Sequence, residues 1–462
     1  MVKRFNAFLV FYFCIFCMSL SAETLEEWGI RSLSLQNSLD NDAPLNQSTW
    51  PGTHNSNSNN DDDDIHSSVL NQSRGLKEQL DEGVRSLVLD VHYTWSEVRV
   101  CHNNVDMWGA CIENFTGSRK FENALSDIIE WIQNNPNNVI LLKLEMMASA
   151  EDNINKVIKK VDEFDDFYFM PNSLNDVSFP DLNGKGCKDL PSNLTKSKVH
   201  ASGKNIILYT DKCYENTKTS DRIFSLGDVE NAKDESDIIN KDKSLIIRVK
   251  DGATKSGNSD PSMLPSNIVN YMDEGINIIE TYGYGATGSQ WKKQGEYPIS
   301  ADDLVWSWDK YEPLSTVIDG TAAVLSSETD KFQTEQSAHL LRPACRKLVE
   351  EDGTRAELNW IVAPDMVSFD QAESACLSAG NNEYYFATPR NKMELNALIS
   401  YRNKYNATDE AIWLNYQKVF GVWMADIGEA DDQMSLLCQN QTAKVCSQLD
   451  HYQNLINDST DF

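Results

Sequence analysis

Six short runs of Val, Ile and Leu between residues 44 and 310 constrain this chain most. They are Arg85–Val91 (RSLVLDV), Val139–Glu145 (VILLKLE), Asn205–Thr210 (NIILYT), Ser244–Val249 (SLIIRV), Ile276–Glu280 (INIIE) and Leu304–Trp308 (LVWSW). The runs are continuous rather than alternating, as in strands buried on both faces. Helical patterns fall between some of them. Phe121–Gln133 places Phe121, Leu125, Ile128, Ile129 and Ile132 on one face, and Asn134, Asn135 and Pro136 stop it. Strand–helix–strand over this length predicts an α/β fold with a parallel sheet, most simply a TIM-like (β/α) barrel. An open doubly wound sheet is the other possibility, weakened by the lack of a Gly-rich phosphate loop between a strand and a helix.

The ends differ from this middle. Lys3 and Arg4, the apolar run Ala7–Leu20, and then Ser19, Ser21 and Ala22 have the layout of a secretory signal peptide. The expected division is a signal peptide at 1–22, a barrel at 23–310, a linker at 311–344, a small α+β module at 345–450 and a tail at 451–462. No later stretch is apolar and long enough to span a bilayer, so the mature chain is expected to be secreted and soluble. Removing Cys14 and Cys17 with the signal leaves eight Cys, an even number that suits disulfides. They have no zinc-finger spacing. Cys101–Cys111 and Cys187–Cys213 are expected as local pairs. Seven N-x-S/T sequons occur in a chain rich in Asn, Ser and Thr, and so say little about glycosylation. With 41 Lys+Arg against 70 Asp+Glu, the formal charge is −29. That excludes nucleic acid as a partner and obliges any phosphate-bearing substrate to be met in a local site.

Four segments carry the chemistry: PGTHNS at 51–56, QLDEGVRSLVLD at 79–90, VCHN at 100–103 and NVILLKLE at 138–145. The first puts His54 on a Gly-containing turn, and the third supplies His102. The second and fourth end apolar strands in Asp90 and Glu145. In a parallel barrel, strand carboxyl ends converge on one rim, where barrel active sites lie. Singly, each residue has an ordinary structural reading; together and in this order they are far more specific.

These segments, with the helix–strand unit FENALSDIIEWIQNNPNNVILLKLE, resemble the catalytic X-domain of phosphatidylinositol-specific phospholipases C and related secreted phosphodiesterases. The resemblance is strong to about residue 150 and is only a strand rhythm beyond. It implies an irregular TIM barrel that cleaves a phospholipid or glycosylphosphatidylinositol headgroup at a membrane surface. His54 and His102 match the two catalytic histidines, suited to holding or giving a proton near neutral pH. Asn55, Asp90 and Glu145 match three of four calcium ligands, so the resemblance implies Ca²⁺. The departure is Val88, where the family usually has an acid. It raises the alternative of a catalytically impaired scaffold acting as a secreted binding protein. Should the metal be absent, Lys143, on the Glu145 face of its strand, is the next source of positive charge. Tyr282 and Tyr284 are candidates to stack on a sugar ring, or are ordinary rim aromatics.

Residues 345–446 resemble a C-type-lectin-like domain more weakly, through FDQAESAC, MELNALI, AIWLNY, Trp423 and the terminal cysteines. This resemblance implies Cys376–Cys446 and leaves Cys345–Cys438. The Glu-Pro-Asn, Gln-Pro-Asp and Trp-Asn-Asp triplets of calcium-dependent sugar binding are absent from the sequence. A glycan or protein partner for this module stays open, with a packing or partner-binding role favoured.

Overall fold

The computed structural model describes residues 23–59, 61–62, 71–94, 96–101, 118–147, 151–171, 173, 186–214, 221–226, 229–232, 237, 240–242, 244–250, 268–281, 283–284, 299–347, 359–405 and 410–425. The expected signal peptide, His102, Cys111, Tyr282, Cys438 and Cys446 lie outside these residues. Cys101 is disulfide-bonded.

The first sheet contains β1 (Trp50–Thr53), β2 (Ser86–Thr94), β3 (Glu97–Cys101), β4 (Ser118–Lys120), β5 (Ile140–Met146), β6 (Tyr168–Phe169), β7 (Ile206–Thr210), β8 (Val229–Asn231), β9 (Ile246–Lys250) and β10 (Ile278–Thr281). Eight run parallel in the order β6-β7-β5-β2-β1-β10-β9-β8, and β3 and β4 form an antiparallel flap on β2. Near the seam, Phe224 bridges Tyr209 of β7, and β8 a few residues later pairs with β9. The sheet thus curls into an irregular barrel of α/β type.

Side-chain alternation divides each strand between two environments. Leu87, Leu89, Leu142, Leu144, Leu208 and Ile247 face outward in one large core with helices α1 (Leu25–Gln36), α2 (Leu76–Asp81), α3 (Phe121–Asn134) and α4 (Glu151–Asp162). Trp50, Leu141, Phe169, Ile207, Ile246 and Ile278 face inward and fill the lower barrel. Helix α5 (Lys196–Ala201) contributes Val199 to that inner cluster, and α6 (Ile268–Asp273) packs in the outer one.

The expected strand at Leu304–Trp308 does not form. A 3₁₀ turn, Ala301–Leu304, leads into irregular chain. The Gln36 side chain takes the place of a strand partner. Its Oε1 accepts from the N–H groups of Trp306 (2.7 Å) and Ser307 (3.1 Å), and its Nε2 donates to Leu304 O (3.0 Å). Satisfied in this way, the segment buries Trp306 and Trp308 and touches a sheet only through a single bridge, Trp308 to Phe332.

The second sheet has β11 (Thr321–Leu325), β12 (Phe332–Gln336), β13 (Arg342–Lys347), β14 (Trp360–Val362), β15 (Tyr384–Phe386), β16 (Ile412–Val419) and β17 (Val422–Ala425). Its central order is β12-β11-β16-β13-β14, with β15 beside β13 and β17 beside β16. The stretch expected as a linker, 311–344, therefore supplies β11, β12 and the start of β13. Helices α7 (Ala372–Ala379) and α8 (Lys392–Lys404) accompany the sheet. Cys187–Cys213 forms as expected. Cys345 instead bonds Cys376, which overturns both lectin-derived pairings. The reason is local: α7 packs on β13 and brings the two Cα atoms to 5.5 Å. The sheets share one core, in which Trp308 meets Phe332, Tyr416 and Trp423. Asn391 Nδ2 also donates to Gln47 O at 2.6 Å across the seam.

Candidate active site

The turn after β1 carries His54, and the surrounding chain fixes it from several sides. A Cβ on Gly52 would lie 2.9 Å from both Ile279 O and Ser86 Cβ, so β1 can pass between β10 and β2 only with glycine there. His54 N–H donates to Thr281 O (3.0 Å), and its carbonyl accepts from Gln72 Nε2 (2.7 Å). Gln72 Nε2 also reaches Thr281 O, and its Oε1 accepts from Tyr284 N–H. Asn55 follows with φ +48°, a left-handed conformation that Asn tolerates better than most residues. Ser56 then closes the turn on β2: its N–H donates to Val88 O and its Oγ accepts from Val88 N–H, both at 2.8 Å. Asn57 Oδ1 accepts from Asp90 N–H at 3.0 Å.

Below this turn the carboxyl halves of the strands present a charged layer to the barrel interior. Asp90 and Glu145 are register partners on parallel β2 and β5, as are Val88 and Lys143 one step lower. Lys143 Nζ lies 2.5 Å from Glu145 Oε1, and Arg248 Nη2 of β9 lies 4.0 Å from the same oxygen. Arg248 Nε donates to Glu280 Oε1 of β10 (2.6 Å), its Nη2 to Glu280 Oε2, and its Nη1 to Asn231 Oδ1 of β8 (2.8 Å). Burial opposes the charge on Arg248, but Glu280 outweighs it and holds the guanidinium above its ordinary value. Tyr209 of β7 is fully buried on this face, and desolvation, with Glu280 nearby, pushes its phenol far up and keeps it neutral.

The structure thus brings His54, Asn55, Asp90 and Glu145 to one end of the barrel. His102 lies just beyond β3, outside the described residues. Arg248, Glu280 and Gln72 are additional members that the sequence reading did not single out. The signal for the first two was present: in SLIIRVK and INIIE a charge interrupts or ends an apolar run at the same inward alternation as Lys143. Tyr284 is buried and donates to Glu82 O at 2.8 Å, a rim-packing role rather than an exposed stacking face.

The donor set does not fit calcium. Glu145, one of its two carboxylates, is held by an ammonium and faces a guanidinium, so a dication there would meet two fixed positive charges. Among the described residues no cluster of three His, Cys, Asp or Glu could hold a metal. Val88 is consistent with this arrangement. An acid at 88 would face Lys143 across the strand pair, whereas Val88 leaves Lys143 to Glu145.

Residues 17–240 match the family model described as the Rv2075c PI-PLC-like domain. Uncharacterized protein Rv2075c of Mycobacterium tuberculosis is 30% identical over 205 residues, covering 40% of this chain and 39% of that protein. A PI-PLC X domain-containing protein of Arabidopsis thaliana is 30% identical over 112 residues, covering 23% of this chain and 25% of the relative. The chain thus spans well under half the length of these curated relatives. Among solved structures, the phosphatidylinositol-specific phospholipase C of Listeria monocytogenes superposes with a TM-score of 0.38 at 13% identity, covering 57% of this chain and 97% of that one. No helix among the described residues is long and apolar enough to cross a membrane. Over residues 17–240 the chain is thus similar to the PI-PLC-like domain of that family model, and over a shorter stretch to a PI-PLC X domain-containing protein.

Proposed function

We propose that this protein is a secreted phosphoric diester hydrolase that cleaves phosphatidylinositol or a related phospholipid or GPI headgroup without a metal ion. The observation that carries this reading is the Lys143–Glu145–Arg248 cluster beneath His54. A phosphodiester under attack gathers charge on its equatorial oxygens, and that charge needs a positive partner already in place. Lys143 supplies it, oriented by Glu145. His54 and His102 divide the proton work: one takes the proton of the attacking hydroxyl and the other protonates the leaving diacylglycerol oxygen. For the second module we propose a packing or partner-binding role without calcium-dependent sugar binding.

The test is headgroup release from vesicles of phosphatidylinositol and a panel of other phospholipids, and from a GPI-anchored substrate. Turnover is expected and should be unchanged by thorough chelation. His54→Ala and His102→Ala should each lower it by about 10²–10⁴-fold while the unfolding transition stays in place. Activity lost on chelation and restored by Ca²⁺ would reinstate calcium. Absence of release from every substrate would leave the barrel as a binding scaffold.

A further inference from the structure

At the opposite end of the barrel, a cleft of about 310 Å³ opens between the barrel floor and the β16–β17 hairpin. Arg85 and Lys196 line it from the floor, Asn41 and Asn138 from loops, and Trp423 from the hairpin, with exposed Ser34 of α1 on the rim. No step of the proposed reaction uses these residues.

Arg85 is only 4% exposed, yet it has no carboxylate partner within ion-pair distance among the described residues. Its Nε donates to Asn138 Oδ1 (3.0 Å), and its Nη1 to Leu80 O (2.8 Å) and Val84 O (2.7 Å). The guanidinium stacks over Trp131 at 4.7 Å. Nη2 makes no hydrogen bond among the described residues. The carboxylate of Asp81 is engaged by Trp131 Nε1 at 2.7 Å. Lys196 differs: its Nζ sits 2.5 Å from Asp40 Oδ1, so that pair is neutral as a unit. The cleft therefore holds one positive charge that is buried, partly without hydrogen-bond partners and without an ion-pair partner in contact, Asp81 acting on it only from a distance. A desolvated charge is costly until a counter-charge meets it, and burial accordingly pushes the Arg85 guanidinium down to about 10.

We propose that this cleft binds a small, singly charged oxyanion, a carboxylate or a phosphate, seated on Arg85 Nη2 between the barrel floor and the second module. One guanidinium without an ion-pair partner in contact selects a small anion, and a charge-assisted N–H···O bond gives it a fixed point. The amides of Asn41 and Asn138 offer further polar contacts. The net charge of −29 repels free anions at long range, so such a ligand is retained only where a cation is shielded from that field. A ligand there touches both modules and ties the hairpin to the floor.

The full chain would be titrated at constant ionic strength with sodium acetate and, separately, inorganic phosphate, following the indole N–H signal of Trp423. A saturable shift in the millimolar range is expected with at least one anion, and the better ligand distinguishes carboxylate from phosphate. Ser34→Glu adds a negative charge to an exposed rim position and should weaken binding roughly three- to fivefold. Arg85→Gln should abolish it. Lys143→Met, at the far end of the barrel, should leave it unchanged. No saturable shift with either anion, equal affinity in Ser34→Glu, or loss in Lys143→Met instead would overturn the site. If Arg85→Gln fails to fold, Ser34→Glu decides.

Discussion

Two cations at the barrel mouth and two at the floor and seam, Arg85 and Lys331, are satisfied in opposite ways. At the mouth each is paired with a carboxylate: Arg248 with Glu280, and Lys143 with Glu145. Lys196 on the floor is likewise paired, with Asp40, but Arg85 and Lys331 meet carbonyls and an amide instead; Lys331 Nζ donates to Val305 O (3.2 Å) and Trp306 O (2.8 Å). The consequences run in opposite directions. Glu280 lifts Arg248 above its ordinary value, whereas desolvation brings Arg85 down to about 10 and Lys331 to about 8. At the mouth, the Glu280 carboxylate keeps Arg248 charged and ready to face an anion. A carbonyl satisfies its geometry but leaves most of its desolvation unrelieved.

The largest effect expected from breaking this contrast is at Glu280. Glu280→Ala leaves buried Arg248 with only the 4.0 Å contact to Glu145 and the Asn231 amide, and should cost about 3–5 kcal/mol of stability in denaturant unfolding. Replacing both, as Arg248→Met with Glu280→Leu, should restore most of it, because a buried pair contributes little net stability over apolar packing. A single variant near wild-type stability would show that the pair is not the mouth's main electrostatic tie. Lys143→Met should act on rate instead. It removes the charge proposed to meet the phosphodiester, and turnover should fall about 10²–10³-fold. Its stability cost should be smaller than that of Glu280→Ala, since Glu145 is partly exposed and keeps Arg248 within 4.0 Å. Comparable turnover in Lys143→Met would move the positive charge to Arg248.

The seam offers a polar counterpart. Gln36→Leu removes the side chain that satisfies Leu304, Trp306 and Ser307, leaving buried backbone groups without partners. The expected cost is about 2–3 kcal/mol, read as a lower unfolding midpoint with unchanged headgroup release.

The same residues explain what could be read from the sequence. Buried parallel strands were legible because continuous Val/Ile/Leu runs have few other uses, and Asp90 and Glu145 stood out as acids closing such runs. Arg248 did not, because a single charge inside SLIIRV looks like an interruption until the alternation places it inside the barrel. Leu304–Trp308 has a strand's composition, and only Gln36, 268 residues away in sequence from Leu304, decides against one. Neither periodicity nor spacing can reveal a partner so distant. Cysteine pairing in the second module failed for a related reason: the lectin resemblance implied long-range bridges, while the packing of α7 on β13 brings Cys345 and Cys376 together. The stretch 311–344 lacked a strong period because β11 is buried at every position and β12 only at Phe332, so neither alternates.

The smallest expected effect tests the seam cation directly. Lys331 binds its proton less tightly when folded, with a value of about 8 against an ordinary 10.5. Between those values the unfolded chain carries more protons than the folded one, so this group makes stability rise with pH. The penalty is fully present below pH 8 and is relieved as pH approaches 10.5. Lys331→Met removes that dependence while keeping the apolar stem in its place between the two modules. The unfolding free energy of wild type minus variant should therefore increase by about 1–2 kcal/mol across this window, less than the full shift implies because the residue is partly exposed. Taking the difference cancels the titration of the many other groups on this acidic chain. At the mouth the matching experiment gives the opposite form: Arg248, held above its ordinary value by Glu280, stays charged throughout, so Arg248→Met should shift stability by a constant amount over the same range. A flat difference for Lys331→Met would mean that its carbonyl partners compensate its charge as fully as a carboxylate does, and the contrast between mouth and seam would fail.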